Sequence, residues 1–256
     1  MNWNDFYNIS QRIGGRYFII AGIGFVLYYI ILRKPRGYKK IQLRFPKNRD
    51  YIREILYSVA TIVIFTAATV FFVKNPPVTD HTFYYRDIHQ HGWFYFFAAF
   101  PIMMVLHDTY FYWMHRLMHR PEIFRYFHRV HHLSTNPSPW AAYAFHPLEA
   151  LVEIGILPAF LFIMPIHFLH LLIFFLFMIT YNVYGHLGWE LYPRGFSKHW
   201  LGKWINTSVN HNQHHQFFKG NYGLYFTFWD RMMGTIRNDY DQKFEEVSTR
   251  TRLEGV

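Results

Sequence analysis

Long apolar runs constrain the fold of this chain more than any other feature. Five such runs occur, at residues 17–32, 55–73, 92–108, 148–165 and 166–185. A helix needs about 20 mostly apolar residues to cross a bilayer, so the sequence predicts an all-α, integral membrane helical bundle of about four or five membrane helices. Pro158 and Pro165 interrupt the last two runs, which form either two spans or one re-entrant hairpin.

The composition agrees with a membrane protein of one domain, residues 1–256. Hydrophobic residues make up 52% of the chain and aromatic residues 22%, whereas only 16% are charged. The chain has no cysteine, which excludes disulfides, thiolate zinc sites and cysteine-ligated iron–sulfur clusters. Any bound metal must therefore rest on nitrogen or oxygen ligands.

Basic residues predict how the bundle is oriented. The loop at residues 33–53 carries nine Lys or Arg against one acid, Asp50, so the positive-inside rule places it in the cytoplasm. No small-residue cleavage site follows the first run, which indicates a retained helix. Because the loop after this helix is cytoplasmic, the N-terminus is expected outside. Counting spans onward places residues 107–147 and 186–256 in the cytoplasm as well.

This orientation accounts for the formal net charge of +10. The excess charge is a topology signal and a contact surface for lipid head groups, so no nucleic-acid partner is expected. We expect a multi-pass protein of a bacterial inner membrane or of the endoplasmic reticulum, with any site in these two segments on the cytoplasmic face.

Three histidine clusters lie in the segments assigned to the cytoplasm. Residues 115–119 read HRLMH, residues 128–132 read HRVHH and residues 211–215 read HNQHH. On a helix, residues spaced i, i+3 and i+4 project from one face. Three protonated imidazoles so close together would repel one another, whereas a cation lets them stay neutral and coordinate. The clusters therefore predict a metal site.

The number of histidines bears on which metals are bound. Nitrogen donors bind zinc, copper or nickel at least as well as iron(II), but a structural zinc site needs four ligands and a catalytic one usually three. Eight or more histidines fit two metal ions better. For two metals beneath a membrane surface, the chemistry that most needs them is the activation of dioxygen against unactivated C–H bonds.

An ordered set of motifs resembles the fatty acid hydroxylase superfamily, the membrane di-iron group that includes the sterol desaturases. The motifs are HDTYFYWMHRLMH, HRVHH, AFHPLE, GHLGWE and NHNQHHQFFKGNYGLYFTFWDRMMGT, and the last is most similar to sterol C5-desaturases. The likeness covers about residues 100–238. We accordingly divide the chain into N-terminal spans with a basic loop (1–91), a catalytic region (92–238) and a polar C-terminal tail (239–256).

The resemblance implies a lipid hydroxylase or desaturase that uses two iron ions and dioxygen. The metal ligands that it implies are His115, His119, His128, His131, His132, His186, His211, His214 and His215. His107 and His146 are expected beside the metals or in the substrate channel. Asp108, which lies on nearly the same helical stripe as His115, is expected to hold the free N–H of a ligand imidazole, as are Glu149 and Asp230.

The electrons for such a reaction must come from another protein. The sequence contains no dinucleotide-binding G-x-G-x-x-G pattern, no flavin motif and no cysteine for an iron–sulfur cluster. The basic cytoplasmic surface can dock an acidic carrier such as a ferredoxin or a cytochrome b5-like protein. The other expected partners are the membrane and the lipid substrate.

Two other functions are compatible with a histidine-rich membrane protein. A membrane haem electron carrier needs paired axial histidines on facing spans. A metal transporter or sensor needs ionisable groups near the middle of the membrane, where the sequence offers only His167, His170 and Glu153.

Overall fold

A computed structural model describes residues 2–251, so the end of the predicted polar tail, residues 252–256, lies outside the described residues. The chain forms thirteen α-helices within that range. They are α1 (Trp3–Phe25), α2 (Arg33–Arg36), α3 (Asn48–Val73), α4 (Pro76–Thr79), α5 (Gly92–Met118), α6 (Pro121–Phe127), α7 (Arg129–His132), α8 (Pro147–Ile154), α9 (Ile156–Ile163), α10 (Phe168–Gly185), α11 (Ser208–Phe217), α12 (Phe228–Met232) and α13 (Tyr240–Thr249).

Four of these helices are long and apolar enough to cross a membrane: α1 with its π-helical extension Val26–Ile31, then α3, α5 and α10. The prediction of an all-α membrane bundle is therefore confirmed. Large apolar side chains such as Phe94, Phe97 and Ile163 face outward from the bundle. Such a surface suits lipid rather than water.

The helices α8 and α9 settle how the run at residues 148–165 is arranged. Their break lies at Gly155, where the Tyr110 hydroxyl packs against the glycine and donates to the carbonyl of Val152 at 2.6 Å. Pro158 lies in the first turn of α9 and has no N–H to donate to the carbonyl of Ile154, four residues earlier, with which its ring would clash in a continuous helix. The break at Gly155 is therefore where Pro158 is expected to interrupt the run, as the sequence predicted.

A short parallel sheet marks where α9 ends. Strand β1 (Tyr84–Tyr85) pairs with β2 (Ile166–His167), and the amide of Phe83 donates to the carbonyl of Leu161. Residues 84–85 belong to the connection between α3 and α5, so α9 reaches the end of the bundle where α5 begins. The two runs thus form two antiparallel passes along the bundle rather than a hairpin that turns back halfway.

The core lies where α1, α3 and α10 surround the 3₁₀ segment Pro139–Tyr143. The Tyr17 ring stacks on that of Tyr143 at 5.2 Å, and its hydroxyl donates to the carbonyl of Trp140 at 2.8 Å. The segment Pro139–Tyr143, which follows the second histidine motif in the sequence, is thereby held inside the bundle.

The bundle has two distinct ends. We call the histidine end the one where α5 and α10 finish and where α6, α7 and α11 lie. The basic loop at residues 33–47 joins it, because Gln42 donates to Asn212 and Lys40 donates to Asn136. The opposite end holds the start of α1, the connection at residues 74–91 and the turn before α10. The three histidine motifs therefore gather at one end, beside the basic loop.

Candidate metal centre

Nine buried or nearly buried histidines form two groups at the histidine end. Within each group one nitrogen of every ring lies within 4.8 Å of those of the others. The five-histidine group is His115, His119, His128, His132 and His214, and the four-histidine group is His131, His186, His211 and His215. These are the nine residues that the family resemblance implied as ligands, and the structure brings all of them together.

The helical spacing explains how the residues divide between the groups. His115 lies in α5 and His119 at its end, one turn apart. Each i, i+3, i+4 motif contributes to both groups, because adjacent residues point in directions about 100° apart on a helix. In the second motif His131 belongs to one group and His132 to the other, and in the third His214 and His215 divide likewise.

The Nε2 atoms converge within each group. In the five-histidine group, the Nε2 of His214 lies 3.1 Å from that of His119 and 3.0 Å from that of His132. In the four-histidine group, the Nε2 of His186 lies 3.1 Å from those of His211 and His215. The two groups are neighbours, since the rings of His132 and His215 have centres 4.9 Å apart.

The other ring nitrogen, Nδ1, faces a backbone carbonyl in four of the nine histidines. The bonds join His115 to Tyr222 at 2.8 Å, His214 to Gly220 at 2.8 Å, His215 to Ser134 at 3.0 Å and His186 to Asn182 at 2.7 Å. A carbonyl only accepts, so Nδ1 must carry the proton of the neutral ring. The lone pair of each Nε2 then faces other ring nitrogens. A bound cation removes the repulsion between these lone pairs.

The electrostatics favour neutral rings. Burial, followed by the charge of nearby imidazoles, lowers the pKa of His119 to about 2. Burial lowers the pKa of His186 to about 4 and that of His131 well below its ordinary value. Neutral imidazole is the form that binds metal, so the donor set fits transition-metal ions.

Glu149 is the carboxylate that the sequence placed beside a ligand. Its Oε1 lies 2.6 Å from Nδ1 of His128, and both side chains are buried. Burial lowers the pKa of His128 and raises that of Glu149, so the two groups share one proton. Glu149 therefore orients His128 with its Nε2 toward His115, 3.0 Å away.

Asp108 and Asp230 hold a loop and do not contact an imidazole. Asp108 accepts from the amides of Tyr225 and Phe226 at 2.8 and 3.2 Å. The expectation for Asp108 was wrong because it lies seven residues, or about 10 Å, before His115 along the helix axis.

Asp230 accepts from the amides of Tyr222 and Gly223 at 2.9 and 2.8 Å. The loop that the two aspartates hold supplies the carbonyls of Gly220 and Tyr222 to His214 and His115. Both aspartates thus orient ligands indirectly, through backbone.

His107 and His146 lie apart from both histidine groups. The Nδ1 of buried His107 lies 2.9 Å from the Tyr225 hydroxyl, and the ring lines a small internal cavity with Phe145 and Asn182. His146 accepts from the amide of Leu148 at 3.3 Å and caps α8. His107 thus borders a small internal cavity, whereas His146 has a capping position.

Glu54 was missed by the sequence analysis. It is fully buried in α3 and accepts hydrogen bonds from the hydroxyls of Ser134 and Ser138. The carbonyl of Ser134 in turn accepts from His215. Glu54 directly precedes the apolar run at residues 55–73, and an acid at such a position is expected to have a buried partner. This position was the signal in the sequence that could have identified it.

A surface cleft of about 530 Å³ adjoins the five-histidine group. Arg116, Lys219 and Arg237 line it, together with the carbonyl-bearing residues Gly220 and Tyr222. Asp239 also lines the cleft and pairs with Arg237 at 2.9 Å, so among the residues that the structure describes Arg116 and Lys219 carry its unpaired positive charge. The Tyr222 ring has its centre 5.2 Å from that of His119 and 5.6 Å from that of His115. A single aromatic side chain therefore lies between the cleft and this group.

The geometry disfavours the two other functions. Nε2 atoms only 3.0 to 3.3 Å apart leave no room for a porphyrin between them. His167 caps α10 and bonds to the Arg86 carbonyl, and His170 bonds to the Phe96 carbonyl, both at the opposite end. They are structural residues there and do not form a transport site with Glu153.

Comparison with known proteins agrees with the geometry. The family described as fatty acid hydroxylase matches residues 100–235. A Delta(7)-sterol 5(6)-desaturase of Gibberella zeae is 32% identical over 240 residues, covering 91% of this chain and 71% of the relative. A Delta(7)-sterol 5(6)-desaturase of Aspergillus fumigatus is 30% identical, covering 82% and 69%. A lathosterol oxidase of Mus musculus is 27% identical, covering 92% and 79%. No solved structure matches.

Proposed function

The chain belongs to the fatty acid hydroxylase family, among the sterol desaturases, and on that premise we propose that it is a di-iron membrane oxidoreductase acting on a lipid. It uses dioxygen and two external electrons to hydroxylate or desaturate a C–H bond of a sterol or a fatty-acyl-type lipid. The observation that carries the proposal is the convergence of nine imidazoles in two adjacent groups, with Nδ1 facing a carbonyl in four of them.

The five-histidine group would hold one iron ion and the four-histidine group the other. When bound, the iron pair supplies the activation of dioxygen. The carbonyls of Tyr222 and Gly220 fix the orientation of His115 and His214, and Glu149 holds the Nδ1 proton of His128. These partners also keep the rings from rotating away from the metal, which raises metal affinity.

The two possible reactions use the same input. In hydroxylation, one oxygen atom enters the C–H bond and the other leaves as water, with two electrons and two protons consumed. In desaturation, two hydrogen atoms leave neighbouring carbons, and both oxygen atoms leave as water with the same two electrons and two protons. We place the approach of the reacting lipid carbon beside Phe145, which lines a small internal cavity and whose ring centre lies 5.2 Å from that of His131.

The electrons would enter through the basic cleft beside Tyr222. Arg116 and Lys219 suit an acidic carrier, a ferredoxin or a cytochrome b5-like protein. The histidine end faces the cytoplasm in this proposal, because the basic loop packs against it and basic loops remain on the cytoplasmic side. Carrier and site would then share one compartment.

The test is a turnover assay with the full chain, purified in detergent and reconstituted with iron. It would be supplied with a reductant, isotopically labelled dioxygen and membrane lipids, and the lipids analysed by mass spectrometry. We expect a lipid that gains one labelled oxygen atom or loses two hydrogens. His131→Ala should abolish this product, whereas the control His199→Ala, at an exposed position outside both groups, should retain it. A product formed equally by His131→Ala would refute the proposal.

A further inference from the structure

A cavity of about 390 Å³ opens at the opposite end of the bundle, far from the basic cleft. It lies between α1, α3 and α10. Most of its wall is apolar and includes Ile13, Phe65, Leu157, Leu171 and Phe175. A cavity of this size and lining accommodates a long alkyl chain rather than a polar metabolite.

The same cavity is also lined by four cationic side chains, Arg12, Arg16, Lys74 and Arg86. Lys74 lies 3.6 Å from the carboxylate of Asp5, which neutralises it. Within residues 2–251 the three arginines have no acidic side chain within salt-bridge distance, although the cavity beside them is apolar. Three positive charges thus border an apolar space without a counter-charge.

Arg16 is the innermost of these charges along α1. It is half-buried in a membrane helix, where an arginine is costly and marks a functional position. Its guanidinium donates from NH1 to the carbonyl of Leu172 at 3.2 Å and from Nε to that of Arg12 at 3.1 Å. These bonds hold the charge at the cavity wall.

The inner end of the cavity leads toward the histidines. Phe65, Tyr143, Ile154 and Phe175 line both this cavity and the smaller one that contains His107 and Phe145. Along α10, Leu172 precedes His186 by fourteen residues, or about 21 Å. This distance exceeds one leaflet of hydrocarbon, about 15 Å or half of the core thickness, so only a long alkyl chain reaches from Arg16 to the histidines.

Resting on the proposed function, we propose that the substrate is a single-chain amphiphile with an anionic head group, a carboxylate or a phosphate. The head group binds Arg12, Arg16 and Arg86 at the opposite end, and the alkyl chain fills the larger cavity with its end directed toward the histidines. The smaller cavity, of about 10 Å³, must widen by movement of the side chains that line both cavities for the chain to reach them. The arginines complement a negative charge, whereas a neutral sterol hydroxyl would leave them uncompensated. The distance from Arg16 to the histidines then selects the carbon that reacts.

The experiment measures equilibrium binding to the full chain in neutral detergent, with palmitate and hexadecanol as probes. Both have the same chain length and differ in head-group charge. We expect palmitate to bind about tenfold more tightly, the size of one charge-assisted hydrogen bond. Arg16→Gln should remove that difference by weakening palmitate alone, Arg16→Lys should restore part of it, and the control Arg125→Gln, at the histidine end, should leave it unchanged.

Equal binding of the two probes to the unaltered protein would overturn the inference, and this comparison does not require any variant to fold. Tight binding of cholesterol that Arg16→Gln leaves unchanged would also overturn it. Binding requires neither iron nor turnover, so it fails independently of the proposed function. If the protein binds its metals but does not prefer palmitate, the proposed function stands and the anionic head group is refuted. If the protein prefers palmitate but binds no metal, the anionic head group stands and the proposed function is refuted.

Discussion

At the histidine end, backbone carbonyls accept from four buried imidazoles, although other buried polar atoms there, such as Oε2 of Glu149, have no hydrogen-bond partner in the described part of the chain. At the opposite end, three arginines border an apolar cavity without an acidic partner within residues 2–251. The carbonyls of residues 134, 182, 220 and 222 accept from histidines at one end. Arg16 also donates to two backbone carbonyls, but its charge has no acidic partner among the described residues. Imidazoles in fixed orientations suit a metal that stays in place, and cations without a counter-charge suit an anionic molecule that enters and leaves.

The difference also separates local from long-range information in the sequence. Each histidine motif is a few residues long, and its spacing alone predicts which side chains share a helical face. The cavity, by contrast, requires α1, α3 and α10, which are far apart in sequence. The sequence therefore predicts which polar groups act together at the histidine end, but it does not predict the apolar cavity.

The largest expected effect is a loss of lipid oxidation at the histidine end that leaves palmitate binding at the opposite end intact. His186→Ala removes one imidazole of the four-histidine group, so we expect lipid oxidation to fall by more than about 100-fold, since even an outer partner of a ligand is worth up to that much. Palmitate binding should stay within about twofold, because the arginines are untouched. Turnover and equilibrium binding on the same preparation check this, and a parallel loss of both would show that the two ends are not separable.

A smaller effect is expected for the carboxylate behind the five-histidine group. Glu149→Gln replaces the group that holds the Nδ1 proton of His128, so we expect metal affinity to fall by about 10- to 100-fold. Competition with a chelator of known affinity measures it. Glu122→Gln, a change at an exposed acid in α6, is the matched control. Unchanged affinity in Glu149→Gln would show that Glu149 has no orienting role.

The stability of the metal-free protein should depend on pH through the histidine end. Burial lowers the pKa of the histidines there, for example from 6.5 to about 4 in His186. Below pH 6.5 the unfolded chain therefore binds protons that the folded chain does not, and the free energy of unfolding falls as pH falls toward 4. The raised pKa of buried Glu149 and Asp230 acts in the opposite sense, but these groups are fewer.

Thermal unfolding in detergent, followed by tryptophan fluorescence, tests this dependence. The midpoint temperature should be lower at about pH 5 than at about pH 7. Metal loading should raise the midpoint more at the higher pH and so widen the difference, because metal binds the neutral imidazoles more tightly there. A midpoint that rises on acidification would contradict neutral, buried imidazoles at this end.

The smallest effect concerns the basic cleft. Lys219→Gln removes one of three cations that line it, so electron delivery from an acidic carrier should slow by a few-fold at low salt and converge with the unaltered protein at high salt. Stopped-flow reduction of the protein by a ferredoxin measures the rate. An effect that persists unchanged at high salt would mean that the residue acts on structure and not on docking.

Much of the architecture followed from local patterns in the sequence. The runs of apolar residues predicted the membrane bundle, and the resemblance of the ordered motifs named the nine histidines that the structure brings together. The helical spacing explains why adjacent histidines point to different groups, but the packing of α5, α7, α10 and α11 determines which histidines meet in each group. The expectation for Asp108 considered one helix and ignored the loop at residues 220–226 that packs against it.

Other features depended on contacts that no local pattern contains. The Tyr110 hydroxyl packs closely against Gly155, at the break that Pro158 causes in the fourth apolar run, and this contact was not predicted. Glu54 reaches His215 only through Ser134, eighty residues later in the chain. Such relations appear once distant helices are packed, which is why the sequence named the nine histidines and Glu149 but not Glu54.

The most direct test of the account is the metal content of the protein itself, purified anaerobically from iron-supplemented cells. Elemental analysis with Mössbauer spectroscopy should find two coupled iron ions per chain. His131→Ala and His214→Ala, one from each group, should each lose the coupled pair, while His199→Ala keeps it. A chain without metal, or with one metal that is indifferent to both substitutions, would contradict the account.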